Sequence, residues 1–408
     1  VTSLDEAGIR RLASERWFGG KGRPIVSASQ IDRLDVEGGG LAILEIVYEE
    51  GPPELYTLLD PDGGGYWAAL LRSLAGGEPG GSFRLEALPA LGDLDGLPDR
   101  PLGADQSNTS FVVGGRLVVK CYRRVWHGPH PEVELVVRLG ADGRLPFVPR
   151  AAGAIHWGDP PCALALLQAY VPGARDGWDW AGEELFGFLE GADAAETTDW
   201  SEALGGLVAE LHGALAERLG TRPAEAADLE AWAERAASLV ERVERLPDGL
   251  DGLAGPVKDE LAALSAPRPA ISLTRIHGDL HVGQILRSDA GYHVIDFEGE
   301  PTRPPEERRA LDSPLRDVAS MIRSFDNLAR WRVRERGGNA GAAERPWLAA
   351  ARQRFLEAYS RRHRLEHSLL RALEVEKAVY ELAYATAYLP EWSEVARPAL
   401  RDLLAETG

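Results

Sequence analysis

Lysine is almost missing from this chain: four residues, Lys21, Lys120, Lys258 and Lys377, in 408, with arginine supplying the rest of the 45 basic side chains. Positive charge as a whole is in deficit, because 64 acidic residues leave a formal net charge of -19. A surface of that sign repels nucleic-acid backbones and anionic membranes, so phosphates can be met only in a local basic pocket. Cysteine is nearly absent too. Cys121 and Cys162 form neither a metal-site spacing nor a disulfide framework, and both sit in apolar, β-like runs that predict buried thiols and a cytoplasmic setting. No apolar run approaches the ~20 residues needed to span a bilayer, and the N-terminus reads as a polar helix without a signal-peptide core. Internal repeats and low-complexity tracts are lacking as well. What remains, 44% hydrophobic and 27% charged residues, is the composition of a globular protein large enough for two or three domains.

The most informative stretch runs over residues 275–301. Ile276 leads into His277-Gly278-Asp279, Gln284 follows five residues after that aspartate, and a β-type run over 292–295 delivers Asp296. Gly and Asp punctuate loops everywhere, but here two carboxylates and an amide meet several requirements at once. Phosphoryl transfer needs one carboxylate to orient the attacking hydroxyl, and a second with an amide oxygen to hold magnesium on the nucleotide phosphates. Asp279 fits the first role; Gln284 and Asp296 fit the second.

This segment, with its continuation Asp296-Phe297-Glu298-Gly299-Glu300-Pro301, resembles the catalytic segment of the aminoglycoside-phosphotransferase-like kinases, in the form used by maltokinases. The phrase Trp17-Phe18-Gly19-Gly20-Lys21-Gly22-Arg23 is similar to the N-terminal cap of maltokinases. The resemblance implies an α+β, bilobal, protein-kinase-like fold with an N-terminal cap domain. It also implies ATP and Mg2+ as cofactors, Asp279 as catalytic base, Gln284 and Asp296 as metal ligands with Glu298 as an additional one, and a sugar hydroxyl as acceptor. Maltose is the expected acceptor, glucosamine the rival, and a catalytically silent kinase-like partner of a trehalose synthase the alternative of another class.

The expected domains are a cap over 1–95, a nucleotide-binding lobe over 96–172 and a mainly helical lobe over 173–408. In the cap, β-runs over 31–36, 41–48, 54–59 and 82–88 predict one small curved sheet with a helix over 67–74. Two further β-runs joined by Gly114-Gly115 carry Lys120, and a lysine retained in a buried-looking strand of so lysine-poor a chain points to a nucleotide phosphate. Glu134 is its expected partner, with Glu132 a near competitor. Ser107, Asn108 and Thr109 take the place of a Gly-rich loop, and the strand ending at Gln168 and Tyr170 is the expected adenine hinge. A strand over 147–154 and helices over 178–189, 200–219, 224–246, 255–264, 314–334, 345–362 and 366–388 follow from hydrophobic periodicity. The resemblance to kinase-like folds also implies Asp317, in the first turn of the helix after the catalytic stretch, as a brace for the catalytic loop, while His212 is an expected packing residue. Substrate contacts are expected from His281, Glu300 and the region from Tyr380 to Trp392.

Overall fold

Alternation along the longest β-runs builds the first part of the molecule. The structure, a computed structural model, describes residues 2–15, 17–61, 65–76, 82–103, 108–247, 249–266, 268, 271–338 and 341–405. The chain packs as two units, residues 1–173 and 174–408; the first holds both the expected cap and the expected nucleotide-binding lobe.

In chain order the first unit contains β1 (Thr2–Ser3), α1 (Glu6–Ser14), β2 (Ile25–Val36), β3 (Gly39–Tyr48), β4 (Glu54–Pro61), α2 (Tyr66–Ala75) and β5 (Phe83–Ala87). β6 (Asp99–Pro101), β7 (Asn108–Val113), β8 (Leu117–Tyr122), β9 (Arg124–Val125), α3 (Pro131–Gly140), β10 (Ala151–Trp157) and β11 (Cys162–Ala169) follow. They form a five-stranded sheet, β1-β2-β3-β4-β9, and a six-stranded sheet, β5-β10-β11-β8-β7-β6. Side chains of β3 point alternately to two cores. Leu44, Ile46 and Tyr48 pack with Leu12 of α1, Phe18 and Tyr56, whereas Leu41 and Ile43 pack with Trp67 and Leu70 of α2 and with Val119 and Ile155 of the second sheet. Cys121 and Cys162 are buried free thiols in this second core.

Two expectations are corrected here. The strand at 82–88 does not join the first sheet; β5 pairs antiparallel with β10, Phe83 opposite Trp157 and Ala87 opposite Gly153, because both rings enter or flank the core under α2 and local pattern does not choose a partner. The strand expected over 147–154 begins later, at Ala151, since Phe147 and Val148 are buried from a turn.

The second unit contains β12 (Arg175–Asp176), α4 (Gly177–Leu189), α5 (Ala194–Thr197), α6 (Asp199–Leu219), β13 (Arg222–Pro223), α7 (Ala226–Glu244), α8 (Ala254–Leu261) and β14 (Ser272–Leu273). Next come β15 (Ile285–Ser288), β16 (Gly291–Val294), α9 (Pro305–Arg308), α10 (Leu315–Glu335), α11 (Arg345–Ser360), α12 (His367–Tyr388) and α13 (Ser393–Ala405). An aromatic cluster anchors the helices: Trp200 of α6 meets Phe325 of α10 edge-on at 5.0 Å and Trp347 of α11 at 5.7 Å. The β12-β15-β16 sheet lies at the start of α4. Among the described residues no helix is long and apolar enough to cross a membrane.

Candidate active site

The loop between β14 and β15 is held by the interior of the helical unit. Asp317, in the first turn of α10, accepts the backbone N–H of His277 at 2.8 Å and that of Gly278 at 2.9 Å. The carboxylate also takes Nε2 of His212 at 3.1 Å, and Nδ1 of His212 faces the Tyr359 hydroxyl at 2.9 Å. Because a carboxylate only accepts, His212 donates through Nε2 and accepts from Tyr359. Asp317 is thus the expected brace. His212, buried as expected, does more than pack, since it holds the brace in place. Burial works to raise the Asp317 pKa, but the bonds from His212 and the backbone outweigh it and hold the carboxyl below its usual range.

His277 Nε2 donates to the Ile295 carbonyl at 3.0 Å and its Nδ1 accepts the Asp279 N–H at 3.4 Å, so the ring links the loop to the end of β16. Gly278 has φ +85°, a conformation that disfavours any side chain. Asp279 then faces Lys377 of α12, Oδ1 to Nζ 3.2 Å. Burial works to raise the Asp279 pKa, yet the Lys377 ammonium, the largest opposing influence, brings it below the ordinary carboxylate value. The same pairing raises the Lys377 pKa against the opposing effect of burial. Asp279 is therefore an ionised carboxylate at neutral pH. Burial lowers the His281 pKa, so that ring is neutral beside it.

Gln284 and Asp296 come side by side: Gln284 Nε2 donates to Asp296 Oδ2 at 3.0 Å, and the Ile295 N–H bonds the Gln284 carbonyl at 3.0 Å. Asp296 has φ +64°, a left-handed conformation that costs a non-glycine residue of order 1–3 kcal/mol and collects at functional sites. Carboxylate oxygens of Asp296 and Glu298 lie within 4.8 Å of each other. This all-oxygen donor set suits a hard cation such as magnesium. The 3₁₀ turn Val282–Gln284 that presents Gln284 is pressed against the start of α4; a Cβ on Gly177 would lie 1.8 Å from the Val282 carbonyl oxygen.

Next to Asp279 is a cavity of about 330 Å³ whose lining includes His281, Tyr380 and Trp392, all expected from the sequence. It also brings in Glu381 and Tyr384, which fall within the expected region, and Trp178, Asn327 and Lys377, which sequence reasoning did not single out. Trp392 lies flat on Trp331, with centroids 4.3 Å apart and planes 3° apart. Glu381 is held by the buried Arg323, Nη2 to Oε2 3.0 Å, and Arg323 also reaches Asn327 Oδ1 at 3.4 Å. The signal that could have found Lys377 is its rarity, the same argument that singled out Lys120. Glu300, expected among the substrate contacts, does not line this cavity. It lines a neighbouring one of about 580 Å³ and pairs with Arg303 at 3.4 Å. Burial and Glu300 push the Tyr380 hydroxyl up to about 12.

In the first unit, Lys120 on β8 pairs with Glu132 Oε2 at 2.9 Å, and the same oxygen accepts the Tyr122 hydroxyl at 2.8 Å. The expected partner, Glu134, is corrected to Glu132: the two lie on different sides of α3, and Glu132 is the one at 0% exposure. Asn108 is buried, the Thr109 hydroxyl accepts Arg123 Nε at 2.8 Å, and Ser107 lies outside the described residues. Gln168 is buried near the end of β11. The N–H groups of Ala169 and Tyr170 are committed to the carbonyls of Arg150 and Arg116, each at 2.8 Å, so these two are not open to an adenine.

A family model described as "Phosphotransferase enzyme family" matches residues 99–366. A glucosamine kinase of Streptacidiphilus jiangxiensis is 37% identical over 356 residues, 83% of this chain and 80% of that protein. A glucosamine kinase of Mycolicibacterium smegmatis (strain ATCC 700084 / mc(2)155) is 31% identical over 409 residues, 92% and 98% of the two chains. A solved structure titled "Glucosamine kinase in complex with glucosamine, ADP and inorganic phosphate" superimposes with TM-score 0.75 at 30% identity, covering 97% of this chain and 99% of that one. The α+β, kinase-like fold expected from the sequence is borne out.

Proposed function

This chain belongs to the phosphotransferase enzyme family, and from that premise we propose that it is an ATP-dependent sugar kinase converting glucosamine to glucosamine 6-phosphate. The observation that carries the reading is the cavity at Asp279, whose other carboxylate is Glu381 and whose rings are Trp178, Tyr380, Tyr384 and Trp392. Aromatic faces suit the apolar faces of a pyranose, and a carboxylate suits an ammonium group through a charge-assisted hydrogen bond. Its volume of about 330 Å³ is near the small end of ligand pockets, about 300–1,000 Å³, which supports one sugar ring rather than two. The relatives described above are named glucosamine kinases, so maltose gives way to glucosamine as the acceptor. A silent partner of a trehalose synthase finds no support in them.

In this reading Asp279, kept ionised by Lys377, orients the acceptor hydroxyl and receives its proton. Lys120, fixed by Glu132, supplies a point charge to the nucleotide phosphates, with Asn108 and Thr109 on the preceding strand. Gln284, Asp296 and Glu298 would hold magnesium, which when bound neutralises phosphate charge. The test is an ADP-release assay with glucosamine, N-acetylglucosamine, glucose and maltose. Losing the ammonium contact costs roughly 1.5–3 kcal/mol, about 10- to 150-fold in kcat/KM, so glucose should trail glucosamine by that factor and N-acetylglucosamine should be rejected. In Glu381→Gln the preference for glucosamine over glucose should collapse. Turnover of maltose with none of glucosamine would overturn the acceptor.

A further inference from the structure

The larger cavity, about 580 Å³, lies beside the acceptor pocket and shares Ser320, Lys377 and Tyr380 with it. The arginines in its wall have no part in the phosphoryl-transfer scheme. Five arginines (Arg235, Arg242, Arg303, Arg308, Arg316) and Lys377 line it against five acids, whereas the whole chain carries 45 basic and 64 acidic residues. The local balance is therefore tipped to the basic side by one, six against five, in a chain whose overall balance is strongly acidic.

The arginines also converge. A single oxygen of Asp312, Oδ2, lies 2.8 Å from Arg316 Nε, 3.3 Å from Arg235 Nη2 and 3.9 Å from Arg303 Nη1. Glu376 takes Arg316 Nη1 at 2.9 Å. Three guanidinium groups around one carboxylate oxygen leave donors over. Arg235 Nε and Arg316 Nη2 are buried and have no hydrogen-bond partner among the described residues. A buried donor left unmade costs about 1–3 kcal/mol, so two in one cavity wall call for an acceptor that the protein itself does not supply. Burial and the neighbouring Arg316 lower the Arg235 pKa, the strain expected when like charges are gathered without enough anions between them.

We propose that this cavity is a second ligand site, which binds a small phosphate-bearing molecule through Arg235, Arg303 and Arg316. A tetrahedral phosphate presents several acceptor oxygens and matches the forked donors of arginine. The volume leaves room for a sugar attached to the phosphate. Glu300, which pairs with Arg303 and faces Lys377 electrostatically, links the two cavities. The ligand therefore reaches the acceptor pocket through Lys377 and Tyr380. The inference stands whichever sugar is the acceptor.

Isothermal titration with inorganic phosphate and, separately, with glucose 6-phosphate tests it, on wild type, Arg235→Gln, Arg303→Gln and Asp279→Asn. Arg235 is 35% exposed and Arg303 21%, so both variants should fold, and thermal melts without ligand will verify this. Each lost charge-assisted bond should weaken binding by about tenfold or more in the two arginine variants, while Asp279→Asn binds like wild type. Tighter binding of glucose 6-phosphate than of inorganic phosphate marks a phosphosugar site; equal affinity marks a free-phosphate site. No binding of either probe, or binding that survives both arginine changes and falls in Asp279→Asn, overturns the proposal.

Discussion

Replacing Asp317 by asparagine removes one charge and changes almost no volume, so it isolates what the carboxylate does. In the wild type it accepts from two backbone N–H groups and one imidazole, at 2.8, 2.9 and 3.1 Å, with 1% of the side chain exposed. An amide has one acceptor oxygen, and its NH2 group would confront a donor. At least one of the three bonds is lost and a buried donor is stranded. With hydrogen bonds to charged groups worth about 1.5–3 kcal/mol and a stranded donor about 1–3 kcal/mol, the expected loss is roughly 3–5 kcal/mol, the range for breaking a buried ion pair. At about 2–4 °C per kcal/mol for a unit of 150–250 residues, Tm should fall by at least about 6 °C. Turnover should fall too, since a shift of about 1 Å in a catalytic group costs on the order of a hundredfold.

The pH dependence has a definite sign. The folded carboxyl lies below its usual value because His212 and the backbone bonds outweigh burial. Its contribution is therefore present above the unfolded value of about 3.9 and is lost as pH falls through the folded one. Calorimetric melts of wild type and Asp317→Asn should differ by a constant amount near neutrality and converge in acid. A Tm within about 2 °C of wild type, or a gap that does not narrow in acid, would refute the reasoning.

Asp279→Asn should lower kcat by about 10²–10⁴-fold with ATP affinity kept, read by initial rates and nucleotide titration. Asp296→Ala should abolish magnesium-dependent nucleotide binding, and Gln284→Ala should only raise the magnesium required, because a neutral amide contributes less to a hard cation; unchanged magnesium titrations in both count against the site. Glu132→Gln should raise the KM for ATP by releasing Lys120, whereas Glu134→Gln should leave it near wild type.

The catalytic stretch was legible because Asp279, Gln284 and Asp296 stand at spacings that few other chemistries ask for, and Asp317 because the kinase-like folds that the chain resembles carry a bracing acid at that place. Glu132 and Glu134 were not separable on sequence: two glutamates two positions apart project to different sides of a helix, and only the tertiary placement of α3 decides which meets Lys120. Lys377 was visible as one of four lysines, but its partner lies 98 residues earlier, a distance over which no periodicity speaks. The cavity that Glu300 lines was hidden for the same reason. The neighbours of Glu300 in sequence suggested the acceptor, while Arg303, three residues on, draws it toward that cavity. The pairing of β5 with β10 likewise depended on which core had room.

The poverty in lysine has a practical side. Amine-directed reagents meet only four side chains in this protein. Lys258, with a side chain 57% exposed, and the exposed Lys21 are open to acylation, while Lys377 is 17% exposed and held protonated by its partner, hence a poor nucleophile. Lys120 is 13% exposed and clasped by Glu132. Among the lysines, coupling chemistry that scrambles most proteins would here attach dyes or surfaces at Lys21 and Lys258 and leave Lys120 and Lys377 largely untouched.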